Sequence, residues 1–217
     1  TFLPRLFFFQ NKELKLAIHR KSSNKFRNFI RDICEKMNIK IQFVFLDDNF
    51  YKFSNSQLPQ FLNLNDSVKI LNHLKIKNEN PQDKIFVTRQ NASYRNLVNE
   101  SDLIQQLKPL GFRVVDLNNF NIFEQIDIFS NSKYIISPTG SALANIVFCN
   151  AGSTIIEITP QYNFDYEDYF KLRYKSIAEL LNLKHIYIEA DSVSIDKIEK
   201  NIESKISKRI LNESNYY

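Results

Sequence analysis

The feature that most constrains this chain is a succession of short apolar runs between residues 84 and 190, each followed by polar or helical sequence. KIFVTR (84–89), FRVVDL (112–117), KYIIS (133–137), STIIEI (153–158) and HIYIEA (185–190) have the length and β-branched content of strands. NESDLIQQLKPL (99–110), IFEQIDIFSN (122–131), ALANIVF (142–148) and YEDYFKLRYKSIAELLN (166–182) have helical spacing between them. Strands that alternate with helices in this way predict a doubly wound α/β unit with a parallel sheet. IDKIEKNIESKISKRIL (195–211) reads as a closing amphipathic helix.

The first third of the chain repeats the pattern more loosely. Residues 1–13 read as an extended apolar lead-in and LKLAIH (14–19) as a strand. KFRNFIRDICEKMN (25–38) has the apolar period of a helix. IQFVFL (41–46) is a near-continuous apolar run that suits a sheet buried on both faces. A helix over about 66–77 is expected to start at Asp66 as its N-cap. KIKNENPQD (75–83) is polar, charged and broken by Pro81, so it reads as a linker. This divides the chain into a Rossmann-like unit at 1–80 and a second, more regular one at 81–217. A chain opening at Thr1, with no starting Met, is expected to lack its natural N-terminus, which leaves the first unit incomplete.

Glycine is scarce, three residues in the whole chain, so each marks a tight bend or a close approach. Gly111 stands where a helix C′ residue belongs. Gly140 and Gly152 lie in the turns of the 84–160 stretch. Gly140 follows a strand and opens a helix, an arrangement that offers free N–H groups to an anion beside the carboxyl end of a sheet.

Other polar groups fall at the same end. Thr88, Arg89 and, further on, Arg95 follow the strand at 84–89. A pair of arginine forks suits a diphosphate, although each arginine could equally pair with a local acid such as Glu100. Thr139, Gly140 and Ser141 form the turn, and Asn145 lies one helical turn on, either facing the ligand or bracing the loop. Glu157 is a carboxylate in an otherwise apolar strand, costly unless paired; it suits a ribose diol or a structural bond to Arg89 or Arg95.

Other classes drop out. There is no GxxxxGK[ST], no GxGxxG and no GxSxG elbow. His19, His73 and His185 lie too far apart in sequence to suggest a metal set. A net charge of +5, scattered along the chain, gives a solvated basic surface and no nucleic-acid footprint; anionic substrates or an anionic membrane surface suit it. Cys34 and Cys149 lie in apolar settings and read as buried thiols in a reducing compartment. Unaided, the residues give a nucleotide or phosphorylated-ligand binder on a doubly wound sheet.

The order of four motifs resembles glycosyltransferase family 61. Arg89, Arg95, Asn99 and Glu100 match its arginine segment ending in R-x-x-x-N-E, and Glu124, Gln125 and Phe129 match its "EQ…F" helix. Gly140, Leu143, Asn145 and Phe148 match its G-x-H-G-A-x-L-T-N-x-x-F turn, and Glu157 and Pro160 its x-E-h-x-P strand. The likeness is densest over about 80–190. Thr139 stands where the family usually has His, and Ser137 where it has the leading Gly; a Thr donates a hydroxyl bond but carries no charge.

The resemblance implies a GT-B-like enzyme of two Rossmann-type units, the second holding the nucleotide. It implies inverting transfer of a sugar from a nucleotide-sugar donor to a glycan acceptor, in surface or capsular polysaccharide synthesis. No metal or other cofactor is expected, and Arg89, Arg95, Thr139, Gly140, Ser141, Asn145 and Glu157 form the donor set. A bacterial cytoplasmic enzyme at the inner face of the membrane, with peripheral membrane association and no nucleic-acid partner, fits this reading. The alternative is an inactive nucleotide- or glycan-binding module of the same fold. Inversion needs a general base, for which His19 and Asp48, both at strand ends, are the visible candidates.

Overall fold

The computed structural model describes residues 3–57, 59–90, 97–160 and 167–190. They fall into two compact units, one drawn from Thr1–His73 with Asn121–Glu124, the other from Leu74–Phe120 with Gln125–Tyr217. Both are α/β with parallel strands, as the alternation of strands and helices predicts.

The first unit contains strand β1 (Glu13–His19), helix α1 (Asn24–Lys36), strand β2 (Lys40–Leu46) and helix α2 (Leu64–Asn72). β1 and β2 pair in parallel from Glu13 opposite Lys40 to His19 opposite Leu46, which makes α1 their crossover. The Ser23 hydroxyl caps α1 by accepting the Phe26 N–H at 3.1 Å, and Ile30, Ile33 and Cys34 are buried.

Three expectations are corrected here. The lead-in is not extended: Leu3–Phe9 is a 3-10 helix with Pro4 in its first turn, where a missing N–H costs nothing. β2 is not buried on both faces, since Val44 and Phe45 are 36% and 41% exposed. The sheet has two strands among the described residues, and guanidinium groups of α1 stack on its rings, Arg27 over Phe45 at 4.7 Å and Arg31 over Phe43 at 5.0 Å. Finally, α2 is capped by Asn63, whose side-chain oxygen accepts the Asp66 N–H at 2.8 Å. Asp66 therefore lies in the first turn, where its charge suits the helix dipole.

The second unit runs β3 (Asp83–Val87), α3 (Glu100–Leu107), β4 (Arg113–Val115), α4 (Ile122–Asn131) and β5 (Ser132–Pro138). A 3-10 helix (Ser141–Phe148), β6 (Thr154–Pro160), α5 (Glu167–Leu180) and β7 (Lys184–Ala190) complete it. The five strands are parallel in the order β4-β3-β5-β6-β7. Numbered from β3 this is 2-1-3-4-5, a doubly wound order whose winding reverses between β3 and β5. On one face Phe86, Ile136, Ile156, Ile158 and Ile188 pack with Leu103 and Leu107 of α3 and with Phe112. Gly111 ends the α3 segment at φ 82°, a left-handed C′ position.

The stretch read as a linker is fastened to this unit. The Ile76 N–H donates to Ser130 Oγ at 3.1 Å, and Asn78 Nδ2 to Asn131 Oδ1 at 2.7 Å. Asn150 Nδ2 reaches the carbonyls of Ser130 at 2.7 Å and Ile76 at 3.3 Å. The helix expected at 195–211 lies outside the described residues. Among those described, no helix is long and apolar enough to cross a membrane.

Candidate functional site

In a doubly wound sheet, ligands bind outside the carboxyl ends of the strands where the winding reverses. Here that point is the gap between the ends of β3 and β5, so the segments after Val87 and after Pro138 are its walls.

The β3 wall is organised by a buried acid. Glu100, 3% exposed, opens α3, and its Oε1 accepts both the Thr88 hydroxyl and the Arg89 N–H, the latter at 3.0 Å. Thr88 Oγ1 accepts the Gln90 N–H at 3.2 Å, so the chain leaving β3 is held at three successive residues. Glu100 thus pairs with the arginine segment through the backbone. Asn99 occupies the N-cap position of α3 but makes no side-chain cap bond there. Both of its amide atoms, and Glu100 Oε2, are buried with no hydrogen-bond partner among the described residues. Arg95 lies outside the described residues.

The β5 wall is the Gly140 turn. Gly140 has an extended backbone, φ 165°, that any residue adopts, so its glycine has a spatial cause. A Cβ there would overlap the Arg89 Nη1 and stand 3.1 Å from its Cζ. The Arg89 guanidinium therefore lies directly against the Gly140 backbone. The Gly140 carbonyl accepts the Leu143 N–H at 3.0 Å and the Tyr174 hydroxyl at 2.5 Å. The Thr139 N–H donates to the Ile158 carbonyl at 2.6 Å, tying the turn to β6. Thr139 is buried at 5% exposure, whereas Ser141 is exposed at the start of the 3-10 helix. The first N–H groups of that helix lack the intrahelical acceptors of later turns. A guanidinium and such amides at one spot suit an oxyanion.

Asn145 braces the loop. Its Nδ2 donates to Gln125 Oε1 at 3.0 Å, and Gln125 Nε2 reaches the carbonyls of Leu117 and Phe120 at 3.1 and 3.0 Å. The "EQ…F" helix and the Gly140 helix are thus joined through this amide, and again where the Ser130 hydroxyl donates to the Phe148 carbonyl at 3.2 Å.

Glu157 lies deeper than the sequence suggests. It is 0% exposed at mid-strand in β6, opposite Ser137 of β5 and Tyr187 of β7. Oε2 pairs with His185 Nε2 at 3.1 Å, and Oε1 has no partner among the described residues. His185 was not expected as its partner. Only strand register brings them together, since His185 sits opposite Ile155, two residues before Glu157 on β6.

In the first unit, His19 and Asp48 meet. The Lys21 N–H donates to His19 Nδ1 at 3.1 Å, which puts the ring proton on Nε2, and Nε2 donates to Asp48 Oδ1 at 2.9 Å. Lys21 Nζ holds Oδ2 at 2.8 Å, and the Lys21 and His19 bonds keep the Asp48 carboxyl below its ordinary range. With both ring nitrogens engaged, His19 has no free lone pair for proton abstraction. No group of three or more His, Cys, Asp or Glu among the described residues is placed to hold a metal ion.

The family model described as Glycosyltransferase 61 matches residues 1–156. The match spans both units and includes Arg89, Glu100, Gln125, Gly140 and Asn145, and it ends one residue before Glu157. No curated protein matches the chain.

Proposed function

Because the chain belongs to the glycosyltransferase 61 family, we propose that it is an inverting glycosyltransferase whose donor, a nucleotide sugar, binds at the carboxyl ends of β3 and β5. The acceptor is a glycan, and the setting is surface polysaccharide synthesis at the inner face of a membrane. The observation that carries this reading is the Arg89 guanidinium lying against the Gly140 backbone at the reversal of the sheet.

Transfer leaves a nucleoside diphosphate with growing negative charge. Arg89, the first N–H groups of the 141–148 helix and the Ser141 hydroxyl are the groups that would stabilise it. Preorganised donors of this kind contribute most when held rigidly, and both walls are braced by hydrogen bonds to buried residues, Glu100 and Tyr174. Arg95 joins them through its motif alone. Glu157, paired with His185 through Oε2, supports the sheet under the turn in this conformation, and a ribose role for it requires the buried carboxyl to become accessible.

A second reading, a binding module without turnover, is favoured by Thr139, which leaves the turn without the charge of the family's usual His. Calorimetric titration with UDP, GDP and CMP and their sugar conjugates separates the two. The enzyme reading expects one ligand to bind, at least tenfold loss in Arg89→Ala, and sugar transfer or donor hydrolysis. Binding without turnover, with turnover gained in Thr139→His, selects the module. No binding at millimolar ligand overturns the enzyme reading and leaves a module that takes glycan alone.

A further inference from the structure

We infer that Glu100 and Tyr174 are positioning residues that hold Arg89 and the Gly140 turn in register from opposite sides, without touching the ligand. The inference rests on the donor-site reading above.

Glu100 acts on the arginine arm. A buried carboxylate is costly unless it is satisfied, and Oε1 is satisfied by two donors from the segment after β3, the Thr88 hydroxyl and the Arg89 N–H. Its place in the first turn of α3 adds the favourable end of the helix dipole. Fixing the Arg89 amide fixes the root of its side chain, and so where the guanidinium reaches.

Tyr174 acts on the turn. It is 4% exposed on α5, and its hydroxyl donates to the Gly140 carbonyl at 2.5 Å. In a trans peptide the C=O and the following N–H point in opposite directions. Holding the Gly140 carbonyl toward Tyr174 therefore turns the Ser141 N–H the other way. Ser141 is exposed and Tyr174 is buried, so that amide turns away from the packed side. Each residue serves one wall, and the two walls touch where Arg89 meets Gly140.

The test uses the full chain with Tyr174→Phe, which keeps the ring and removes the donor, Glu100→Ala, and Glu100→Gln, which keeps an acceptor oxygen. Two quantities are read beside the melting temperature: affinity for UDP and GDP, and the side-chain Nε–Hε NMR signal of Arg89, assigned by its loss in Arg89→Lys. The expected result is a roughly tenfold weaker diphosphate affinity and a displaced Arg89 signal in Tyr174→Phe and Glu100→Ala, the scale of one lost hydrogen bond. Glu100→Gln is expected within about threefold of the wild type, because its Oε1 still accepts. If Tyr174→Phe lowers only the melting temperature and leaves the Arg89 signal in place, the positioning role is wrong. If Glu100→Ala does not fold, the Tyr174→Phe result decides alone. If the Arg89 signal moves as expected but the wild type binds none of UDP, GDP, CMP and their sugar conjugates, the bracing stands and the donor-site reading falls.

Discussion

The Arg89 guanidinium occupies the space that a side chain at residue 140 would fill. A glycine with an ordinary extended backbone is thereby tied to a cation, and sequence neighbours have no part in the choice. Gly140→Ala should fold, since the atom it displaces is the far end of a flexible side chain. It should cost less than about 1 kcal/mol in urea unfolding, within the range of mild substitutions, while weakening diphosphate affinity several-fold. Equal affinity in the variant would show that Arg89 is needed elsewhere.

The buried pair of Glu157 and His185 makes an opposite prediction, in which stability is lost whatever happens to binding. His185→Ala leaves a carboxylate, already short of one partner, alone in the sheet. A loss of about 3–5 kcal/mol is expected on breaking such a pair. Replacing both residues by apolar ones should recover much of it, because no buried polar group is then left without its partner. Urea midpoints of the two singles and the double, taken as a cycle, measure the coupling.

Asn150 joins the stretch around Ile76 to the rest of the second unit through the carbonyls of Ile76 and Ser130. Asn150→Ala should cost about 1–3 kcal/mol, the penalty for buried acceptors left without a donor. Limited trypsin digestion should then cut sooner at Lys75 or Lys77. Unchanged digestion would mean that the Ser130 and Asn78 bonds hold the stretch unaided.

Cys34, buried in α1, has its thiol pushed by burial from 9.0 up to about 11. Burial pushes Cys149 in the same direction. A raised thiol value means that the folded state holds its proton longer than the unfolded chain. The stabilisation is complete below pH 9 and is lost as pH rises towards 11. Wild type should therefore lose, on the order of, 2 kcal/mol more than Cys34→Ala between those limits. Thiol titration with Ellman's reagent at pH 8 should find neither cysteine reactive until urea is added.

Much of this architecture is legible in the sequence, because apolar period and strand–helix alternation are local. The α4 stretch 122–131 is read to the residue, and Gly111 is correctly placed at a helix end. The errors have local causes too. The lead-in at 1–13 reads as extended, but Pro4 fits the first turn of a 3-10 helix. Asn63 and Asp66 are both good caps, and only the hydrogen bond chooses between them. The bracing of the candidate site is a different matter. Glu157 and His185 meet through the register of two strands, and Tyr174 reaches Gly140 from a helix two elements later. Neither contact leaves a periodic trace. The sequence offers the Arg89 and Gly140 walls, and only the sheet order shows that they meet.

β3 and β5 lie side by side, but a helix, a strand and a second helix are synthesised between them. Closing so long a loop is a slow step in folding, because its entropy is lost before the contact repays it. A chain emerging from a ribosome therefore has the Arg89 wall long before the wall it rests on, and the Tyr174 hydrogen bond comes later still. Until α5 has been made, the Gly140 turn has no Tyr174 to hold its carbonyl, so the two walls come into register only after both have been built.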